Sequence, residues 1–186
     1  NSIQQSVGAE LDFQAIVDVV GDKLREVFAT GDMSIRWWDE AAGELHSLYS
    51  YEHGVRLAKS VLKPEPGTAP HRFLQERRPV VFGSSAEQVA AGVTVRSGTD
   101  RSRSLVAVPM LAGERLLGAV MLENHERDNA FGPAELQLLQ TVASSMGVAL
   151  LNAKSYEAER QRAAELAIIN AVQQALAGER SIQRVY

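Results

Sequence analysis

The sequence predicts a mixed α/β domain of the α+β kind, with a helix at each end and strand hairpins between. Three patterns predict it. Phe13, Ile16, Val17, Val20, Leu24, Val27 and Phe28 recur at helical spacing near the start. Two pairs of strand-like segments, at 33–39 with 44–51 and at 104–111 with 115–123, are joined by short turns containing Gly43 and Gly113. From Pro133 to Leu176 no proline interrupts a second amphipathic stretch. The length, 186 residues, suits one compact domain with extra helix.

The first helix has Asp12 placed as an N-cap and ends near Gly31. The segment after the first hairpin, 63–67, is broken by Pro64 and Pro66 and leads to a short helix over 70–76. Residues 79–82 read as a brief strand. Residues 83–103 are small and polar, giving a short helix over 85–91 and then a loop. The strands at 104–111 and 115–123 are almost continuously apolar, which predicts a cover on both faces of the sheet. The closing helix opens at Gly132, Pro133 and Glu135, with proline in the first turn and a carboxylate at the positive end of the dipole. At ~1.5 Å per residue it runs about 60 Å, too long for one domain to bury. Its first half, with Leu136, Leu139, Val142, Met146 and Leu150, is expected to cover the sheet, and its second half to act as a connector.

Composition removes several functions. There are no cysteines, hence no disulfides, thiolate sites or cysteine nucleophiles. A net charge of −4 gives no global field for nucleic acid. No apolar run approaches the roughly 20 residues of a membrane span. Among His46, His53, His71 and His125 there is no metal-ligand spacing, so neither a metal nor a haem is expected, and no other cofactor. Paired acid/base, nucleophile–base and phosphate-loop patterns are also lacking, so the chain is not expected to be an enzyme.

The two ends resemble each other. Asn1, Gln4, Gln5, Glu10 and Gln14 coincide with Asn170, Gln173, Gln174, Glu179 and Gln183 in one ungapped register, at an offset of 170 minus 1, or 169 residues. Self-similarity at a fixed period marks an array. The expected organisation is therefore the end of a preceding linker helix at 1–10, a sensor domain at 11–157, and a helical linker at 158–186 running into a following repeat. The chain begins without methionine and reads as a piece of a longer protein.

Two stretches resemble the GAF domain family. One runs from Ser104 through Pro109 and Gly113 to Gly118 and Leu122. The other runs from Phe131 through Glu135, Leu136 and Leu139 to Asn152, Ala153, Tyr156 and Glu157. The resemblance implies a mainly antiparallel central sheet, with the terminal helices on one face and a small-molecule pocket on the other. It also implies that Met121 faces that pocket. Some members of the family bind cyclic nucleotides through asparagine-lysine and, after a spacer, phenylalanine followed four residues on by aspartate-glutamate. This chain keeps Asn124 and Phe131 but has His125, Glu135 and Leu136 at the other places. The missing lysine–aspartate pair argues against cyclic nucleotides, and leaves Asn124 and Phe131 to shape the loop before the closing helix. Pigment attachment and methionine-sulfoxide reduction, found in relatives, both need cysteine.

The candidate ligand-binding residues are aromatic and basic. Trp37 and Trp38 are adjacent on a strand, so each faces a different side of the sheet; Trp37 is taken as a pocket candidate. Tyr49 and Tyr51 share a face, which the pattern leaves open. Arg96, Asp100, Arg101, Arg103 and Ser104 cluster before a central strand, where arginines suit a carboxylate or phosphate. Met121 adds an apolar wall. The expected function is a regulatory small-molecule-sensing module of a multidomain cytoplasmic signalling protein. Its partners would be an unidentified small ligand, a second copy through the terminal helices, and a downstream output domain. The alternative is a ligand-free dimerisation and spacer module.

Overall fold

Nine residues in a row from Ser104 and ten from Arg115 form the central hairpin, β6 (Ser104–Ala112) and β7 (Arg115–Asn124). Val106, Val108, Val120 and Leu122 on this pair are wholly buried. The computed structural model describes residues 2–29 and 31–183, with side chains over 13–29 and 31–177. Before the hairpin come α1 (Ser2–Val27), β1 (Asp32–Asp39), β2 (Glu44–Glu52), β3 (Val55–Arg56) and β4 (Ser60–Leu62). They are followed by α2 (Ala69–Glu76), β5 (Val80–Phe82) and α3 (Ser85–Ala90); α4 (Pro133–Gln183) closes the chain. The sheet has the order β3-β2-β1-β7-β6-β5, with β4 also pairing β2. Every pairing is antiparallel. This is the α/β architecture with a mainly antiparallel sheet that the sequence predicts.

Residues Gln14–Leu151 form one compact unit; the residues before and after them form a second. In the first unit, α1 packs on the sheet through Val17 and Leu24. The ring of Tyr49 lies over Gly21, where a Cβ would meet it at 2.5 Å. Only glycine admits that approach. Leu139, Ala143, Met146 and Leu150 of α4 are likewise buried. Gly147 lets α4 run close to β6: a Cβ there would stand 3.1 Å from the Leu111 carbonyl oxygen. Gly118 serves the sheet in the same way, since a Cβ would lie 1.9 Å from the Arg36 carbonyl oxygen. In the helical unit, the Lys154 ammonium sits 4.4 Å from the centre of the Phe13 ring. Leu166, Ile169, Val172 and Leu176 are between 50% and 60% exposed there.

One expectation needs correction, and two short strands were not expected. α1 begins at Ser2 and passes Asp12 without a break, so Asp12 does not start the helix. β3 and β4 have only two and three residues, too short and too exposed to show a period. The closing helix runs unbroken from Pro133 to Gln183, into the stretch where the sequence places a helical linker at 158–186. Of the segment 170–185 that aligns with 1–16, residues 184 and 185 lie outside the described residues, as do the side chains of 1–12 and 178–183. Among the described residues no helix is long and apolar enough to cross a membrane.

Candidate functional site

Strand alternation decides what each sheet face carries. Ser34 and Arg36 of β1 stand opposite Met121 and Ala119 of β7, and Ala107 of β6 stands opposite Met121. All five bound a cavity of about 320 Å³, within the size range of small-ligand sites. One wall is apolar: Phe73, Leu105, Ala107 and Ala119 are buried together, and Phe82 and Met121 pack against them. The loop after α3 closes the cavity through Val93, Thr94, Arg96, Thr99 and Arg101. The polar segment 83–103 therefore covers this side of the sheet.

The opposite wall is a chain of hydrogen bonds. Ser84 caps α3 by accepting from the Glu87 N–H at 3.2 Å, and Glu87 Oε2 accepts from the Gly83 N–H at 2.7 Å. That double cap aims Gln88 inward, where it is 1% exposed. Its Nε2 donates to the Ser102 carbonyl at 3.0 Å and to Ser102 Oγ at 3.2 Å. Ser102 Oγ in turn donates to Glu123 Oε1 at 3.3 Å. Every buried polar group in this run has a partner, as burial requires.

Arg36 completes the site. Burial lowers its pKa; the charge of Glu123 opposes that shift, and Arg96 adds to it. Glu123 shows the reciprocal effect. Burial raises its pKa, while His125, Arg36 and the Ser102 hydroxyl pull it down. Arg36 Nε is buried with no hydrogen-bond partner among the described residues. A guanidinium held in a cavity with an unused donor is suited to a carboxylate or phosphate on a small ligand.

The sequence candidates divide. Tyr51, Arg96, Asp100, Arg101 and Met121 bound the cavity. Arg96 and Arg101 do so while holding the loop, donating to the carbonyls of Ala58 and Val93, each at 3.0 Å. Tyr51 bounds only the edge of the cavity: its ring is tilted against Tyr49 at 5.1 Å and lies under Arg25 of α1, so both tyrosine rings are on the face toward α1. Tyr49 is not a cavity residue: its hydroxyl donates to Asp22 at 2.7 Å. Trp37 lies outside the cavity as well. Trp38, on the other side of β1, bounds a separate depression of about 460 Å³, with Glu40, Gln75 and Arg77 among its exposed walls. Arg103 pairs with Asp128 at 3.0 Å, and Ser104 Oγ donates to the Arg127 carbonyl at 2.9 Å, so both brace the loop beyond β7. Asn124 has the expected structural task, accepting from the Glu126 and Arg127 N–H groups at 2.9 and 2.8 Å. Sequence reasoning missed Arg36, Gln88, Ser102 and Glu123. The one legible signal was a charged residue, Arg36, flanked by Ile35 and Trp37 in the middle of a strand.

An antiparallel sheet with helices on one side and a walled cavity on the other defines a class of small α/β domains. Residues 12–150 match the GAF domain family, and the chain belongs to it. No curated protein sequence matches the chain. Its fold is similar to residues 122–287 of a methyl-accepting chemotaxis protein (TM-score 0.65, 15% identity, 82% of this chain and 98% of that one). It is also similar to the GAF domain of a phosphoenolpyruvate-protein phosphotransferase from Coxiella burnetii (TM-score 0.61, 15% identity, 85% and 97% covered). A third likeness is to the second GAF domain of DevS from Mycobacterium smegmatis (TM-score 0.58, 14% identity, 78% and 97% covered).

Proposed function

We propose that the chain is a non-enzymatic sensory module that binds a small molecule between β1, β7 and the 93–102 loop. The observation that carries this reading is a half-buried Arg36, its buried Nε an unused donor among the described residues, set against an apolar wall of Phe73, Leu105 and Met121. Such a cavity suits a small amphipathic ligand with one anionic group. Occupancy would favour one arrangement of the loop and α4 over another, and α4 would carry that preference onward to an output domain. Membership of the GAF family, and a chemotaxis protein among chains of the same fold, support a regulatory role.

The test is a thermal-shift screen with small aliphatic and aromatic carboxylates and phosphates. A ligand at ~100 times its Kd adds about 2.7 kcal/mol to stability. Arg36→Met should abolish the shift; hits that bind the variant equally would remove Arg36 from the site.

A specific observation favours a second element, a homodimer. Leu166, Ile169, Val172 and Leu176 follow one another at three- and four-residue steps and are each at least half exposed. That is the spacing of a seam between helices. The occupant argued for is a second copy of this chain, because a parallel pair would place each module beside its twin. Sedimentation at micromolar concentration decides it: a dimer that becomes monomeric in Leu166→Glu/Ile169→Glu is expected, and a monomer throughout would refute it.

A further inference from the structure

Four side chains from three separate segments meet where β2 and β7 end. Glu52 closes β2 and His53 follows it in the turn, Asp100 comes from the loop before β6, and His125 follows β7. Each offers one ligand atom, and the four atoms lie within 4.8 Å of one another. His53 Nε2 is 2.8 Å from Asp100 Oδ1, His125 Nε2 is 3.8 Å from the same oxygen, and the Asp100 N–H donates to Glu52 Oε1 at 3.2 Å. The two imidazole rings are 4.4 Å apart.

His125 is the informative member. Its side chain is only 7% exposed, and Nδ1 is 2.7 Å from Asp32 Oδ2. Nε2 is buried and has no hydrogen-bond partner among the described residues. A buried ring nitrogen is ordinarily satisfied. Here one nitrogen is fixed by a carboxylate while the other points unused toward Asp100, which is how a metal-binding histidine is oriented by its outer partner. An ion pair between His53 and Asp100 would explain those two exposed residues, but it leaves His125 Nε2 unexplained.

We propose that Glu52, His53, Asp100 and His125 bind one divalent transition-metal ion of the zinc class, with Asp32 as the positioning residue for His125. Two imidazoles and two carboxylates form a borderline donor set, which suits Zn²⁺ better than the all-oxygen shells of Ca²⁺ or Mg²⁺. The two carboxylates balance the ion's charge. A tetrahedral site with ligands at about 2.0–2.2 Å spaces its donor atoms about 3.3–3.5 Å apart, between the 2.8 and 3.8 Å found here. Small rotations of His53 and Asp100, both more than half exposed, would complete it and leave the ion a path of entry. The local field points the same way. Asp32, Glu52 and Asp100 set three carboxylates around the two imidazoles, a negative environment that favours a cation. Positions 52, 53, 100 and 125 have no recognisable spacing, which is why the sequence argued for no metal. Glu52 and Asp100 also bound the cavity, so the ion would pin the covering loop to the β2 and β7 ends. The site stands independently of any organic ligand.

The test uses the whole chain freed of metal with a chelator. Zn²⁺ titrated by calorimetry should bind with one equivalent, and Co²⁺ as a probe should show the intense visible bands of tetrahedral coordination. His125→Gln and Asp100→Asn should weaken Zn²⁺ at least 100-fold. Asp32→Asn should weaken it 10- to 100-fold while the Co²⁺ geometry changes. His53→Asn, exposed and tolerant of the turn conformation, keeps the test decisive if His125→Gln does not fold. His46→Gln should leave binding unchanged. No binding by the native chain, or equal binding by the His53, His125 and Asp100 variants, would overturn the proposal.

Discussion

On the side of the sheet facing α1 and α4, Val17, Ile35, Val108, Val120 and Leu122 are wholly buried, and Tyr49 has its hydroxyl satisfied by Asp22. Directly behind them the same strands carry Ser34, Arg36, Ser47 and Glu123 around a cavity. Neighbouring residues of one strand thus take opposite tasks. Apolar burial, about 25 cal/mol per Å², stabilises the first face. The second contains a half-buried guanidinium and carboxylate whose desolvation opposes folding, an arrangement that is frequently less stable than apolar residues of the same size. Under the proposed function stability resides on one face and recognition on the other, so the two should respond separately to substitution.

The largest expected effect is on the helix-covered face. Leu139→Ala should lower the unfolding free energy by about 2–5 kcal/mol, measured by urea denaturation, with the preference among ligands unchanged. Tyr49→Phe comes next. Burial and then the Asp22 hydrogen bond raise the Tyr49 pKa, so it remains a donor in the folded state. Its loss should cost about 0.5–1.5 kcal/mol. The smallest effect on folding is expected in the helical unit, where Leu166→Glu/Ile169→Glu should change stability by less than about 0.5 kcal/mol per exposed site while altering the association state. If Leu139→Ala instead changed ligand preference as strongly as stability, the separation of the two faces would fail.

The same contrast explains what could be read in advance. β6 and β7 were legible because a strand covered on both faces leaves a continuous apolar run. α4 was legible because its stripe has no breaker. Gly43, with φ of 66°, sits where the sequence placed the first hairpin's turn. The cavity face was less legible because a polar residue in a strand looks the same whether it faces water or a ligand. Ser34 and Glu123 gave no cue, and Gln88 became a wall residue only through the cap at Ser84. Trp37 and Trp38 follow plain alternation along β1, whose pairing with β7 is unbroken, whereas the irregularity opposite Ile35 and Arg36 is an extra residue, Leu48, on β2. The histidine and carboxylate cluster was invisible for a different reason: it is made by topology, from three loops that meet at the strand ends.

The measurement that bears most directly on the two-face account uses Arg36→Met/Glu123→Gln beside the native chain. Both are unfolded in urea and both are screened with the same carboxylates and phosphates by thermal shift. Replacing the charged pair together should leave stability unchanged or raise it by about 1–4 kcal/mol, and every hit of the native chain should be lost. A variant that still binds those ligands, or one that loses several kcal/mol of stability, would contradict the account.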